Sequence, residues 1–252
     1  AISVGYTVGG TPFSAGNVFT AQLSDGSGSF DNPTVIGTVA ATTTGTISAT
    51  LPASLLPSTG YRIRVKASNP AITAADNGTD LVILPPNTVR VTFDSTTFPP
   101  TGWTNTKASG TNANALWTRE TVGTHPDVDP KHGAGMIAYK SWDYQASESA
   151  LLTSPVFTLA QRPAGQPAYV GLWMYRDNGY NTALEKVIVY ANTAPSLTNA
   201  TAIDTINRVI TSDPAVSGEG WYFYLMNLPA SFNTSTNYLM LLADSEYGND
   251  IY

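Results

Sequence analysis

A chain of 252 residues with 42% hydrophobic and 10% aromatic side chains can bury two cores, yet only 12% of it is charged, about half the share of an average soluble protein. The formal net charge of −6 leaves no excess of cations for a phosphate backbone, which excludes nucleic acid as a partner. The absence of cysteine rules out disulfides, thiolate-bound zinc, iron–sulfur clusters and thiol nucleophiles, and no apolar run approaches the ~20 residues of a membrane span.

Glycine or proline interrupts nearly every dozen residues, and no stretch keeps apolar residues at i, i+3, i+4 and i+7 for three turns. The expectation is an all-β chain. AISVGYTV opens as a strand, and Phe19, Ala21 and Leu23 alternate with Thr20 and Gln22. Ile47, Ala49 and Leu51 alternate with Ser48 and Thr50. Tyr61, Ile63, Val65 and Ala67 then face away from Arg62, Arg64 and Lys66, as one wall of a sandwich. Turn clusters such as SDGSGSFDNP and AADNGTD separate these segments. At Leu84-Pro85-Pro86-Asn87 two prolines interrupt strand-like VIL and strand-like TVRVTF, which sets a boundary: domain 1–84, linker 85–87, domain 88–252. The second part holds all 5 tryptophans and both histidines. In it, Arg176 to Asn181 reads as a tight turn in which Asn178-Gly179 supplies the positive φ.

The run LLPSTGYRIRVKASNP resembles fibronectin type III and related immunoglobulin-like modules. The resemblance puts Leu56 in the core, Pro57 and Gly60 at a turn, and Tyr61 in a tyrosine corner with its hydroxyl bonded back to the turn. The flanking GSGSFDNPTVIGTV and SNPAITAADNGTDLVI are similar to spacer modules of secreted proteins of the Bacteroidetes type. FDSTTFPPTGW at 93 to 103 is similar to the opening of cleaved-adhesin (choice-of-anchor, MAM-like) domains. ALWTRE, GAGMIAYKSWDYQ, YVGLWMYRD and NYLMLLADSEYGNDIY follow in the family's order. The resemblances imply two antiparallel β-sandwich domains, immunoglobulin-like followed by jelly roll, the latter expected to lack its last strand. They also imply a structural calcium bridging first and last strands, with Asp94 and Asp250 nearest those positions.

GTHPDVDPKHG, residues 123 to 133, gathers His125, Asp127, Asp129 and His132 without the HExxH spacing or helix of a zinc site. It reads as a connecting loop, and calcium suits its hard oxygens better than a transition metal. The calcium candidates are Asp94, Asp127, Asp129, Glu246, Asn249 and Asp250. Among the aromatics, Trp117, Trp173 and Trp221 read as core, Trp173 because it lies in one apolar run with Val170, Leu172 and Met174. That leaves Trp103, Trp142 and Tyr180 as ligand-binding candidates, flat faces on which a sugar ring packs. No catalytic residue is assigned: Asp143 and Glu148 flank Trp142, but GxSxG, GxGxxG and GxxxxGK are all missing. The expected function is a non-enzymatic, secreted or cell-surface adhesion or surface-structural protein, its partners a surface protein, a glycan or copies of itself joined by strand exchange at the chain ends. The alternative is a carbohydrate-binding or accessory module of a larger secreted hydrolase or peptidase.

Overall fold

A residue pattern with period two buries one face of each strand, and the fold follows it. The computed structural model describes residues 1–10, 13–85, 88–162 and 165–252. Among the described residues there is no α-helix, and the strands pair antiparallel. The chain divides into two compact units, Ala1–Val89 and Arg90–Tyr252. Of the expected linker, Pro86 and Asn87 lie outside the described residues.

The first unit contains β1 (Ile2–Tyr6), β2 (Val18–Leu23), β3 (Thr34–Ala40), β4 (Gly45–Ala49), β5 (Ser58–Tyr61), β6 (Ile63–Ser68), β7 (Ala71–Asp76) and β8 (Leu81–Ile83). A sheet of order β3-β2-β6-β7 accompanies the pairs β1-β4 and β5-β8. Phe19, Ala21 and Leu23 turn inward from β2 and meet Val4, Ile47, Ala49 and Tyr61 in one core. Tyr61 donates its hydroxyl to Leu56 O at 3.0 Å, so the tyrosine corner is present. Three expectations around it need correction. Leu56 is 71% exposed; with its carbonyl turned in to accept that bond, the core contact falls to Leu55. Gly60 lies inside β5 rather than at a turn, and glycine serves close approach there, since a Cβ would sit 2.7 Å from Gly26 O. The Tyr61–Ala67 run is interrupted at Arg62, whose N–H donates to Ser24 Oγ at 2.7 Å and whose guanidinium pairs with Asp80 at 2.8 Å.

The second unit contains β9 (Thr104–Ser109), β10 (Thr118–Glu120), β11 (Met136–Ala138), β12 (Ser149–Thr153), β13 (Ala168–Arg176), β14 (Lys186–Asn192), β15 (Thr201–Asn207), β16 (Gly220–Leu228) and β17 (Tyr238–Asp244). One sheet runs β15-β14-β17-β12-β9, and β10-β11 and β13-β16 form pairs. Residues 250 to 252 join those pairs: Tyr139 and Ile251 exchange N–H···O bonds of 2.9 and 3.0 Å, and Tyr175 N donates to Tyr252 O at 2.9 Å. The resulting layers enclose Trp117, Tyr139, Leu152, Met174, Val187, Val189, Ile206, Met226 and Ile251. Trp117 is core as expected, its Nε1 donating to Ala150 O and Leu241 O.

Trp173 and Trp221 are not part of that core. Val170, Leu172 and Met174 face inward from β13, so the period of two turns Tyr169, Gly171, Trp173 and Tyr175 to the other face. There Trp173 meets Phe223 at 5.3 Å and Tyr175 meets Trp221 at 5.6 Å between ring centroids. The expected strand TVRVTF does not form either. The carbonyls of Phe93 and Asp94 accept hydrogen bonds from the Arg119 guanidinium at 2.6 and 3.1 Å instead of from a neighbouring strand. At the chain ends, Ile2–Tyr6 pairs with β4 and residues 250 to 252 are bonded on both flanks, so both segments are engaged within the chain.

Candidate functional site

The histidine-bearing loop is a strap held down at intervals. Gly123 N donates to Val128 O at 2.7 Å, and a Cβ on Gly123 would lie 2.7 Å from the Tyr252 ring. Tyr252 Oη accepts from Thr124 N and His125 N at 2.8 and 3.1 Å and donates to Asp250 Oδ2 at 3.0 Å. Further along, Asp129 O accepts from Trp221 Nε1 at 3.1 Å, Lys131 Nζ lies 4.4 Å over the Trp173 ring, and His132 meets the same ring edge-on. The loop therefore covers the outer aromatic face of β13 and β16, and its two histidines reach different tryptophans.

His125 reaches Trp142. Their rings stack at 4.3 Å and 6°. Behind them Asp250 accepts from Trp142 N at 3.0 Å and faces His125 Nδ1 at 3.9 Å. Burial pushes the Asp250 carboxyl above the usual carboxylate range, and burial likewise pushes the Tyr252 hydroxyl up to about 12. Trp142 itself sits in a 3-10 turn, Ser141–Asp143, and is half-buried.

The second wall of the site comes from the turn after β13. Asp177 Oδ1 accepts from Gly179 N at 2.8 Å, Asn249 Nδ2 at 2.9 Å and Arg208 at 2.5 Å. Arg208 is fully buried; it also pairs with Glu185 at 2.8 Å and donates to Tyr180 O at 3.3 Å. Burial drives the Glu185 carboxyl upward against the pull of Arg208. Gly179 does not supply the positive φ expected of it: Tyr180 does, at φ 47. Glycine is needed at 179 for close approach, since a Cβ would stand 2.4 Å from Asn249 Nδ2. Tyr247 is likewise left-handed, at φ 63, and both tyrosines are 57% exposed. A non-glycine residue in this region costs of order 1–2 kcal/mol, and such residues cluster at binding sites.

Trp142, Tyr180 and Tyr247 line a pocket of about 130 Å³, with Trp142 and Tyr180 edge to face at 5.0 Å and 73°. A larger cleft of about 290 Å³ in the first unit is walled by Val4, Tyr6, Phe19, Val65 and Ala67, side chains of that unit's core and its margin. The aromatic pocket is the candidate site because its walls belong to loops braced by buried polar groups. Of the predicted ligand residues it unites Trp142 and Tyr180; Trp103 lies elsewhere, half-buried against the main core. Tyr247 and the backing role of His125 lie outside the sequence expectation, and the local signal for Tyr247 is an aromatic residue within a turn-like SEYGND segment.

The six calcium candidates are not gathered into one shell. Asp94 accepts from Ala134 N, which holds its carboxyl below the ordinary range, and the carbonyls of Phe93, Asp94 and Ala134 converge on the Arg119 guanidinium. A guanidinium already supplies positive charge to those oxygens. Asp250 faces Trp142 and Tyr252, Asn249 donates to Asp177, and Asp127, Asp129 and Glu246 are exposed on loops. Among the described residues no three His, Asp or Glu side chains stand together as a metal site. Asp143 and Glu148, the two carboxylates that follow Trp142, also differ in surroundings. Asp143 is exposed, whereas Glu148 is buried, accepting from Thr111 N and Asn112 N at 2.6 and 2.8 Å and pairing with Lys107.

No protein-family model matches this sequence, and no curated protein matches it. Among solved structures, the chain is similar to the K3 cleaved adhesin domain of Lys-gingipain from Porphyromonas gingivalis, with 18% identity, a TM-score of 0.40, and 60% of this chain and 88% of that one covered. It is similar to a CBM61 module in complex with β-1,4-galactotriose at 12% identity and TM-score 0.37, covering 60% and 83%. A carbohydrate-binding module of the β-sandwich superfamily matches at 11% and 0.43, covering 99% and 94%. Similarity this distant says nothing about binding or activity, which must be read from the site itself.

Proposed function

We propose that this chain is a non-catalytic binding module of an extracellular surface or secreted protein, whose second unit seats a sugar ring in the Trp142–Tyr180–Tyr247 pocket. The observation that supports it is the pairing of two half-exposed tyrosines, both in the left-handed region, with a tryptophan whose back face is held by His125. Three aromatic surfaces kept partly open to solvent give up burial that a core would use, and pyranoses present flat C–H faces that pack on indole. The sparse charge of the chain fits an extracellular surface, and its first unit serves as a spacer.

An immobilised glycan array tests this reading. The intact chain should bind a subset of glycans, and Trp142→Ala should weaken that binding about thirtyfold, because a central aromatic anchor contributes ~2 kcal/mol or more. Undiminished binding by a folded Trp142→Ala variant, or no glycan bound at all, would refute it.

A further inference from the structure

We infer that the aromatic pocket prefers a sugar bearing a free, protonated amine over the same sugar in neutral N-acetylated form. This rests on the sugar-binding reading above and adds the charge of the ligand. The faces of Trp142, Tyr180 and Tyr247 each carry the negative side of a ring quadrupole, which attracts a cation lying over it. Two of these aromatics have an exposed carboxylate as chain neighbour, Asp143 beside Trp142 and Glu246 beside Tyr247. A third carboxylate, Asp250, lies directly behind Trp142 and feels the charge of Asp143.

The nearby cations are already committed. Lys140 is paired with Glu120 at 3.0 Å, and Arg208 is buried between Asp177 and Glu185. No lysine or arginine lines the pocket. An ammonium group entering it therefore meets the rings of Trp142, Tyr180 and Tyr247, with exposed carboxylates next in the chain to two of them and no cation in the lining, whereas an acidic sugar would meet repulsion. A neutral N-acetyl group would bring methyl contact and amide hydrogen bonds but no charge.

Titration calorimetry on the intact chain with short oligomers of glucosamine and of N-acetylglucosamine, below the pKa of the free amine, tests the inference. The free-amine oligomer should bind about three- to thirtyfold more tightly, the range that a partly desolvated cation–π contact supplies. Asp143→Asn with Glu246→Gln should shrink that preference while leaving N-acetylglucosamine binding in place. Equal or tighter binding of the N-acetylated oligomer overturns the inference and leaves the sugar-binding reading standing. If neither oligomer binds, or if Trp142→Ala and Tyr247→Ser leave binding unchanged, this inference and its assignment to the pocket both fail.

Discussion

At Tyr180 and Tyr247 backbone preference and side-chain usefulness pull in opposite directions. Glycine would adopt φ 47 or 63 without penalty, and tyrosine does not. Tyr180→Gly should therefore recover about 1 kcal/mol of backbone strain while losing a comparable edge-to-face contact with Trp142. Thermal melting should show stability within about 1 kcal/mol of the parent, with sugar binding lost. A large destabilisation would instead make Tyr180 a structural residue. The same conflict explains why the sequence points to Gly179 for the positive φ. Asn-Gly is the usual bearer of that conformation, but the Asn249 amide leaves no room beside position 179 for anything larger, so glycine serves proximity there and the next residue takes the turn.

Elements are linked here by carboxylates that accept backbone N–H groups. Glu148, at the start of β12, holds the loop after β9 through Thr111 N and Asn112 N, and these bonds with Lys107 keep its carboxyl below the usual range. A depressed folded-state pKa stabilises the fold above the ordinary carboxylate pKa, and that contribution disappears as pH falls through the depressed value. Glu148→Gln should thus lower the melting temperature at neutral pH, with the gap to the parent closing in acid; a gap that is constant with pH would count against it. Gly179→Ala is expected to be more severe. Its methyl group would displace Asn249 from Asp177 beside a buried arginine, destabilising by about 1–3 kcal/mol and loosening Tyr180, both measurable by melting and by affinity. Alternation was legible where one strand face is the less buried, as in β2, and the tyrosine corner followed from the resemblance of the LLPSTGYRIRVKASNP run to fibronectin type III modules. It failed at β13, where apolar side chains occupy both faces because the strap covers the outer one, and a run of uniform hydrophobicity hides its period. Tyr247 and His125 join Trp142 only through contacts remote in sequence, which no local pattern encodes.

For the whole molecule, each unit has its own apolar core, Phe19, Leu23 and Ile47 in one and Leu152, Val189 and Ile206 in the other. Calorimetry should resolve two unfolding transitions, and Trp117→Ala, which empties part of the second core at a cost of about 3–5 kcal/mol, should move only one. A joint shift of both would mean that the units unfold as one. Residues 250 to 252 add a temporal consequence. They are the hydrogen-bonded bridge between the β10-β11 and β13-β16 pairs, and a two-stranded ribbon alone is marginal in water. Translation delivers the chain from its amino end, so the first unit can be complete while the second still waits as two unjoined ribbons. The aromatic pocket, which needs Tyr247 and the Asp250 carboxylate bonded to Trp142 N, is therefore assembled only after synthesis has passed residue 250, well after the residues of the first unit have been made.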